Sequence, residues 1–146
     1  MKIGTDGVLL GAWCSLKEST KKILDVGSGT GVISLMLAQR FNNATIDSVE
    51  LENNAHKQSV ENFERSVWAD RLFCFHSTFQ DFANELKEDG QTYDLIISNP
   101  PFYTDNVKNN NRARNKARST SFLSFVELIS GVSKILSNQG EFTTII

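Results

Sequence analysis

Proline is nearly absent from this 146-residue chain: there are two, and they are adjacent. Histidine and cysteine are as scarce, at two each. Cys14 and Cys74 stand far apart with no metal-ligand spacing, which excludes a thiolate metal site and a disulfide framework. Both are read as buried, reduced thiols, as suits a cytoplasmic protein, and no metal is expected. No apolar run reaches 18 residues, so no helical membrane span is expected. The segment Met1–Asp6 lacks the apolar core of a secretion signal. An excess of positive charge is also missing. At a net charge of −2, any attraction to a polyanion must be local. No repeat, low-complexity tract or domain linker interrupts the chain.

What is present is an alternation. With 40% apolar residues, the length suits one domain, residues 1–146, with a real core. Strands are expected over 22–27, Ala44–Glu50, Leu72–His76, Tyr93–Ser98 and Glu141–Ile146. Helices are expected over 31–41, Asn53–Arg65, Phe79–Lys87 and Ser121–Leu136. An earlier helix, Asp6–Leu16, would turn Val8, Leu9, Ala12, Trp13 and Leu16 inward. Alternating strand and helix predicts an α/β fold, a parallel sheet covered on both faces. Glu141–Ile146 reads as the start of a core strand at which the sequence stops. A bare apolar edge invites association, so a truncated chain is expected.

Gly27, Gly29 and Gly31 lie between the first strand and the helix after it, in Asp25-Val26-Gly27-Ser28-Gly29-Thr30-Gly31. Glycines there let the backbone turn tightly and approach a ligand. The helix start adds free N–H groups. The spacing is G-x-G-x-G and departs from the dinucleotide fingerprint. Asp25 can accept from a cofactor ammonium and would repel a pyrophosphate. Glu50, ending the next strand, can accept from both ribose hydroxyls. This combination favours S-adenosylmethionine over NAD. Glu52 is read as solvated.

The two prolines follow a strand, in Ser98-Asn99-Pro100-Pro101-Phe102-Tyr103. They fix φ and hold Asn99 extended at a strand end, where open α/β sheets bind ligands. The Asn99 carbonyl can accept one N–H of a target –NH₂ and the Pro100 carbonyl the other. Phe102 can stack on a planar target, with Tyr103 assisting. Such contacts stabilise positive charge developing on the nitrogen as it attacks a methyl group. Direct in-line displacement needs no Ser–His or Cys–His pair, and orientation carries most of the rate. The reading requires the Gly29 and Asn99 backbones to share one cleft.

Lys108, Arg112, Arg114, Lys116 and Arg118 fall within eleven residues among asparagines, with no carboxylate between them. They can neutralise a nucleic-acid backbone passing the site. Ser119-Thr120-Ser121 is expected to cap the next helix. His56 is read as exposed on a polar helix, His76 as a strand end, and Trp13 and Trp68 as packing residues.

These motifs resemble the class I S-adenosylmethionine-dependent amino-methyltransferases. The run Lys2-Ile3-Gly4-Thr5-Asp6-Gly7-Val8-Leu9-Leu10-Gly11-Ala12-Trp13, with Ser98–Tyr103 and Arg114-x-x-x-Arg118, is similar to bacterial tRNA(Val) adenine N6-methyltransferases. The resemblance covers essentially the whole chain. It implies a Rossmann-like, mostly parallel sheet with helices on both faces, lacking a C-terminal closing hairpin. It implies S-adenosylmethionine as cofactor, tRNA as partner and methyl transfer to adenine N6; separately, a monomer is expected. It assigns Asp25, Gly27, Gly29 and Glu50 to the cofactor, with Lys2, Thr5 and Asp6 near its methionine end. It assigns Asn99, Pro100 and Phe102 to the target base. Related enzymes carry an Asp after the third strand for the adenine amine. Here Thr78 holds that place or Asp81 substitutes. Two other readings stay open: a protein glutamine N5-methyltransferase, and a non-catalytic cofactor- or RNA-binding fragment.

Overall fold

The computed structural model describes residues 17–99 and 123–144. Within them five strands form one sheet: β1 (Lys22–Val26), β2 (Thr45–Glu50), β3 (Leu72–His76), β4 (Tyr93–Ser98) and β5 (Leu136–Thr144). The order is β3-β2-β1-β4-β5, and every neighbouring pair is parallel. Four helices connect them: α1 (Val32–Arg40), α2 (Asn53–Glu64), α3 (Phe79–Glu88) and α4 (Phe125–Ile135).

The strand pattern explains the two layers. Alternate residues of each strand face opposite sides. Ile23, Ile46, Leu95 and Ile97 pack with Ile33 and Leu37 of α1 and Phe63 of α2. Leu24, Val26, Val49 and Ile96 pack with Phe79 and Phe82 of α3 and Leu128 and Val132 of α4. Burial on both sides is why β1 and β4 read as continuous apolar runs. The α3–α4 contact is close because position 131 is glycine. A Cβ there would run into the Phe79 ring. Gln80 hydrogen-bonds Glu127, and Lys134 Nζ donates to Asn84 Oδ1 at 2.9 Å across the same pair.

Three helices begin on a side-chain cap. Glu52 accepts from the N–H groups of Asn54 and Ala55 ahead of α2. Thr78 accepts from Asp81 N ahead of α3, and Ser124 from Glu127 N ahead of α4. So Glu52, although exposed, does more than sit in solvent. The start of α4 also corrects two expectations. The cap is Ser124, not Ser119-Thr120-Ser121, and Leu123 and Ser124 are not helical. A helix starts where a hydroxyl can satisfy its first donors, and Ser124 does so here. At its other end α4 passes straight into β5. Leu136 is already extended (φ −84°, ψ 132°) and pairs with Tyr93, so β5 starts five residues before Glu141. A register irregularity between Tyr93 and Leu95 absorbs the extra length. The expected helix Asp6–Leu16 lies outside the described residues.

No helix among the described residues is long and apolar enough to cross a membrane. Nor do those residues bring three His, Cys, Asp or Glu side chains together in a group that could hold a metal ion.

Candidate cofactor and acceptor site

In strand order β3-β2-β1-β4-β5, the chain leaves β1 toward β2 and returns on the other side at β4. The crevice outside the carboxyl ends of β1 and β4 is therefore the topological switch point of the sheet, the usual ligand site in open α/β folds. Val26 pairs with Ser98, so the next residue of each strand, Gly27 and Asn99, leaves the sheet at the same edge. The Ser98 hydroxyl ties the two strand ends further by donating to the Val26 carbonyl at 3.0 Å. The glycine turn and the asparagine thus leave the sheet side by side at its carboxyl edge. Asn99 is half-buried there.

Three glycines make the turn after β1 because three consecutive requirements fall there. Gly27, Gly29 and Gly31 have φ of 75°, 56° and 85°, in the left-handed region that side chains with a Cβ resist. Gly27 is exposed, and nothing lies within 4 Å of where its Cβ would stand. A ligand can approach that backbone directly. Gly31 precedes α1, the one described α-helix that lacks a side-chain cap.

Two carboxylates underlie the turn. Asp25 is fully buried on β1. Its Oδ2 accepts from Ser34 Oγ at 2.8 Å, and Ser34 in turn contacts Ser48 Oγ at 2.8 Å. Its Oδ1 is buried with no hydrogen-bond partner. A buried acceptor without a donor costs about 1–3 kcal/mol. A cationic N–H, directly or through one water, removes that cost. Burial, and to a lesser degree the Glu50 charge, push the Asp25 carboxyl up to about 7. Glu50, half-buried at the end of β2, accepts from Gly29 N through Oε1 (2.9 Å) and from Glu52 N through Oε2 (3.0 Å). Two backbone donors thus aim its carboxylate, and each oxygen keeps a second lone pair. A pair of acidic groups beneath a glycine turn suits a ligand with positive charge and a diol. It disfavours a pyrophosphate.

Other expected residues fall differently. Thr78 lies past β3, where its Oγ accepts from Asp81 N, and Asp81 is exposed in the first turn of α3. Their local role is to start α3. His56 is not simply exposed. It is half-buried, its Nε2 bonds the Cys74 carbonyl at 3.0 Å, and its ring stacks on His76 at 4.9 Å. His76 Nε2 bonds the Leu51 carbonyl at 2.9 Å, so the pair pins the β2–α2 turn to the end of β3. Cys74 is half-buried, and burial raises its thiol to about 11. Trp68 packs at the edge of the α1–α2 core, as expected. Lys2, Thr5, Asp6, Pro100, Phe102, Tyr103, Arg112, Arg114, Lys116 and Arg118 lie outside the described residues, as do Cys14 and Trp13.

The chain belongs to the methyltransferase small domain family, whose model matches residues 8–146. Its fold is the open, Rossmann-like sheet of class I methyltransferases. The chain superposes on a geranyl diphosphate methyltransferase solved in complex with SAM at a TM-score of 0.66, with 13% identity, covering 94% of this chain and 46% of that one. A SAM-dependent methyltransferase from Agrobacterium tumefaciens gives a TM-score of 0.65 at 17% identity, covering 96% and 43%. In sequence, the chain is 56% identical over its whole length to a protein of Christiangramia forsetii named tRNA1(Val) (adenine(37)-N6)-methyltransferase, covering 60% of that protein. A protein of the same name from Flavobacterium psychrophilum is 47% identical, with 100% of this chain and 61% of that protein covered. The chain therefore spans about three fifths of the length of these curated relatives.

Proposed function

We propose that this chain is one S-adenosylmethionine-binding domain, residues 1–146, of a cytoplasmic, monomeric methyltransferase acting on the exocyclic N6 of an adenine in tRNA. The observation that carries the reading is the shared edge of Gly27 and Asn99, with an unpartnered Asp25 oxygen beneath it. The names of the sequence relatives support the choice of acceptor. The residues present fit the cofactor. Asp25 would hold its ammonium and Glu50 its ribose. Gly27, Gly29 and Gly31 would let it lie against the backbone, with Thr5 and Asp6 toward the methionine end and Thr78 or Asp81 toward the adenine amine. When bound, S-adenosylmethionine supplies a methyl group activated by a sulfonium.

The rest of the work falls to the chain. Asn99 Oδ1 accepts one N–H of the target amine, and the Pro100 carbonyl accepts the other. Both dipoles point at the nitrogen where positive charge develops, and fixed dipoles need little reorganisation. Phe102, helped by Tyr103, stacks on the base, which must leave its stack to arrive. Arg112, Arg114, Lys116 and Arg118 neutralise the RNA backbone beside it.

The test is methyl incorporation from labelled S-adenosylmethionine into total tRNA and into release factors, followed by nucleoside mass spectrometry. N6-methyladenosine in tRNA, lost in Asn99→Ala, is the expected result. Label entering protein alone would reject the acceptor, and unchanged transfer by Asn99→Ala would reject the mechanism. Replacing Arg114 and Arg118 with alanine should weaken RNA binding and flatten its salt dependence.

A further inference from the structure

Helix α2 carries two polar side chains on the face it turns toward the molecule. Ser59 is fully buried. Asn62 is half-buried. A buried helical serine commonly bonds back to its own helix. Ser59 instead reaches across, and its Oγ donates to the Gly29 carbonyl at 2.8 Å. A hydroxyl has one proton, so at the 3.0 Å contact between the Ser59 and Ser28 hydroxyls it is Ser28 that donates. Asn62 Nδ2 donates to the Thr30 carbonyl at 2.7 Å. One turn on, the Phe63 ring lies 2.7 Å from where a Cβ of Gly31 would stand. Residues 59, 62 and 63 thus meet three consecutive loop residues, at the i, i+3, i+4 spacing of one helix face.

The remaining ties come from β2 and from the loop itself. Gly27 N donates to Val49 O at 2.9 Å, and Gly31 N to Ser28 O at 2.8 Å. Gly29 N donates to Glu50 Oε1 at 2.9 Å. The contacts of Ser59 and Asn62 fix the peptide planes 29–30 and 30–31, which neither strand holds.

We infer that Ser59 and Asn62 of α2 are positioning residues that pre-order the glycine loop for its ligand. A glycine-rich turn has the most backbone freedom to lose. If that freedom is lost only on binding, affinity falls; a loop already ordered avoids the loss. The inference rests on the cofactor reading above for the identity of the ligand, but the ordering itself is a property of the free chain.

Two measurements separate these layers. The first is amide hydrogen exchange of Gly29 and Gly31 in the ligand-free chain. The second is calorimetric titration with S-adenosylhomocysteine. Ser59→Ala and Asn62→Ala are compared with Glu61→Ala, a control on the exposed face of the same helix. Asn62→Ala removes one hydrogen bond to the loop and should weaken binding about three- to tenfold; Ser59→Ala removes two and should weaken it by at least as much. Gly29 and Gly31 should exchange faster, while Ile23–Val26 of β1 keep their protection. The control should match wild type in both readouts. Wild-type affinity in the variants, or protection lost evenly through the sheet, would overturn the inference. No binding by wild type, with loop protection still lost selectively in the variants, would uphold the pre-ordering and sink the cofactor reading.

Discussion

Replacing Asp25 with asparagine should make a poorer cofactor binder whose stability relative to wild type rises with pH, becoming a net gain at pH 8. The carboxyl titrates near 3.8 when unfolded and at about 7 in the fold, chiefly because burial disfavours its charge. The folded state therefore binds more protons than the unfolded state between these values. Stability falls as pH rises through that window and levels off above it. From the two values, the carboxyl costs roughly 2 kcal/mol at pH 5 and roughly 4 kcal/mol at pH 8 relative to its neutral form. Asparagine removes this titration. Its carbonyl keeps the Ser34 bond, but its amide replaces the unpartnered Oδ1 and returns about 1–3 kcal/mol as a buried donor without an acceptor. That offset is the same at every pH. The difference in stability gain between pH 8 and pH 5 should thus be about 2–3 kcal/mol whatever its size. Urea titrations of both proteins at the two pH values, alongside calorimetry with S-adenosylhomocysteine, measure it. Parallel stability–pH curves for the two proteins would refute the reasoning, since they would mean that Asp25 stays charged in the fold without cost.

Three further outcomes test the packing. The Arg71 guanidinium donates to the carbonyls of Ala38, Phe41 and Ala44 at 2.7–2.9 Å, closing the end of α1, so Arg71→Ala should cost about 2–3 kcal/mol in a urea melt. Gly131→Ala should destabilise by about 1–3 kcal/mol, although alanine favours a helix, because the added methyl meets the buried Phe79 ring; a raised melting temperature would contradict this. In a Cys14→Ser background, Cys74 should react with iodoacetamide at pH 8 about a hundredfold more slowly than an ordinary thiol, since a rise from 9.0 to about 11 lowers the thiolate fraction by that factor.

The sheet was readable because its signal is local. Leu72–His76 and Tyr93–Ser98 have the boundaries that their apolar runs predict, and β1, α1, β2, α2 and α3 differ by a residue or two. The glycine turn and Asn99 were readable as a pair because each follows a strand, and parallel strands bring their carboxyl ends to one edge. What escaped was tertiary. A serine starts α4 only where its hydroxyl faces a free N–H. The sequence offers Ser119, Thr120, Ser121 and Ser124 within six residues, and spacing alone does not choose among them. The switch from α4 to β5 without a loop depends on Leu136 finding Tyr93 across the sheet, a partner 43 positions away (136 − 93).

The same distinction governs the site. The residues a ligand would touch announce themselves as glycine, carboxylate and Asn-Pro-Pro, because their chemistry is unusual for the element they end. The residues that hold those in place do not. Glu52, His56, Ser59, Asn62 and His76 look like an ordinary polar helix and its neighbour strand. Yet Ser59, Asn62 and His76 each bond a backbone carbonyl of the turns after β1 and β2, Glu52 caps α2, and His56 bonds a carbonyl of β3. A polar helix face is therefore weak evidence of solvent exposure when the helix follows a strand that ends in a carboxylate bonded to the neighbouring turn. Here α2 follows Glu50 directly, so its inner face must cover the turn that Glu50 also holds. Backbone carbonyls of that turn then need donors, and serine and asparagine at positions 59 and 62 supply them.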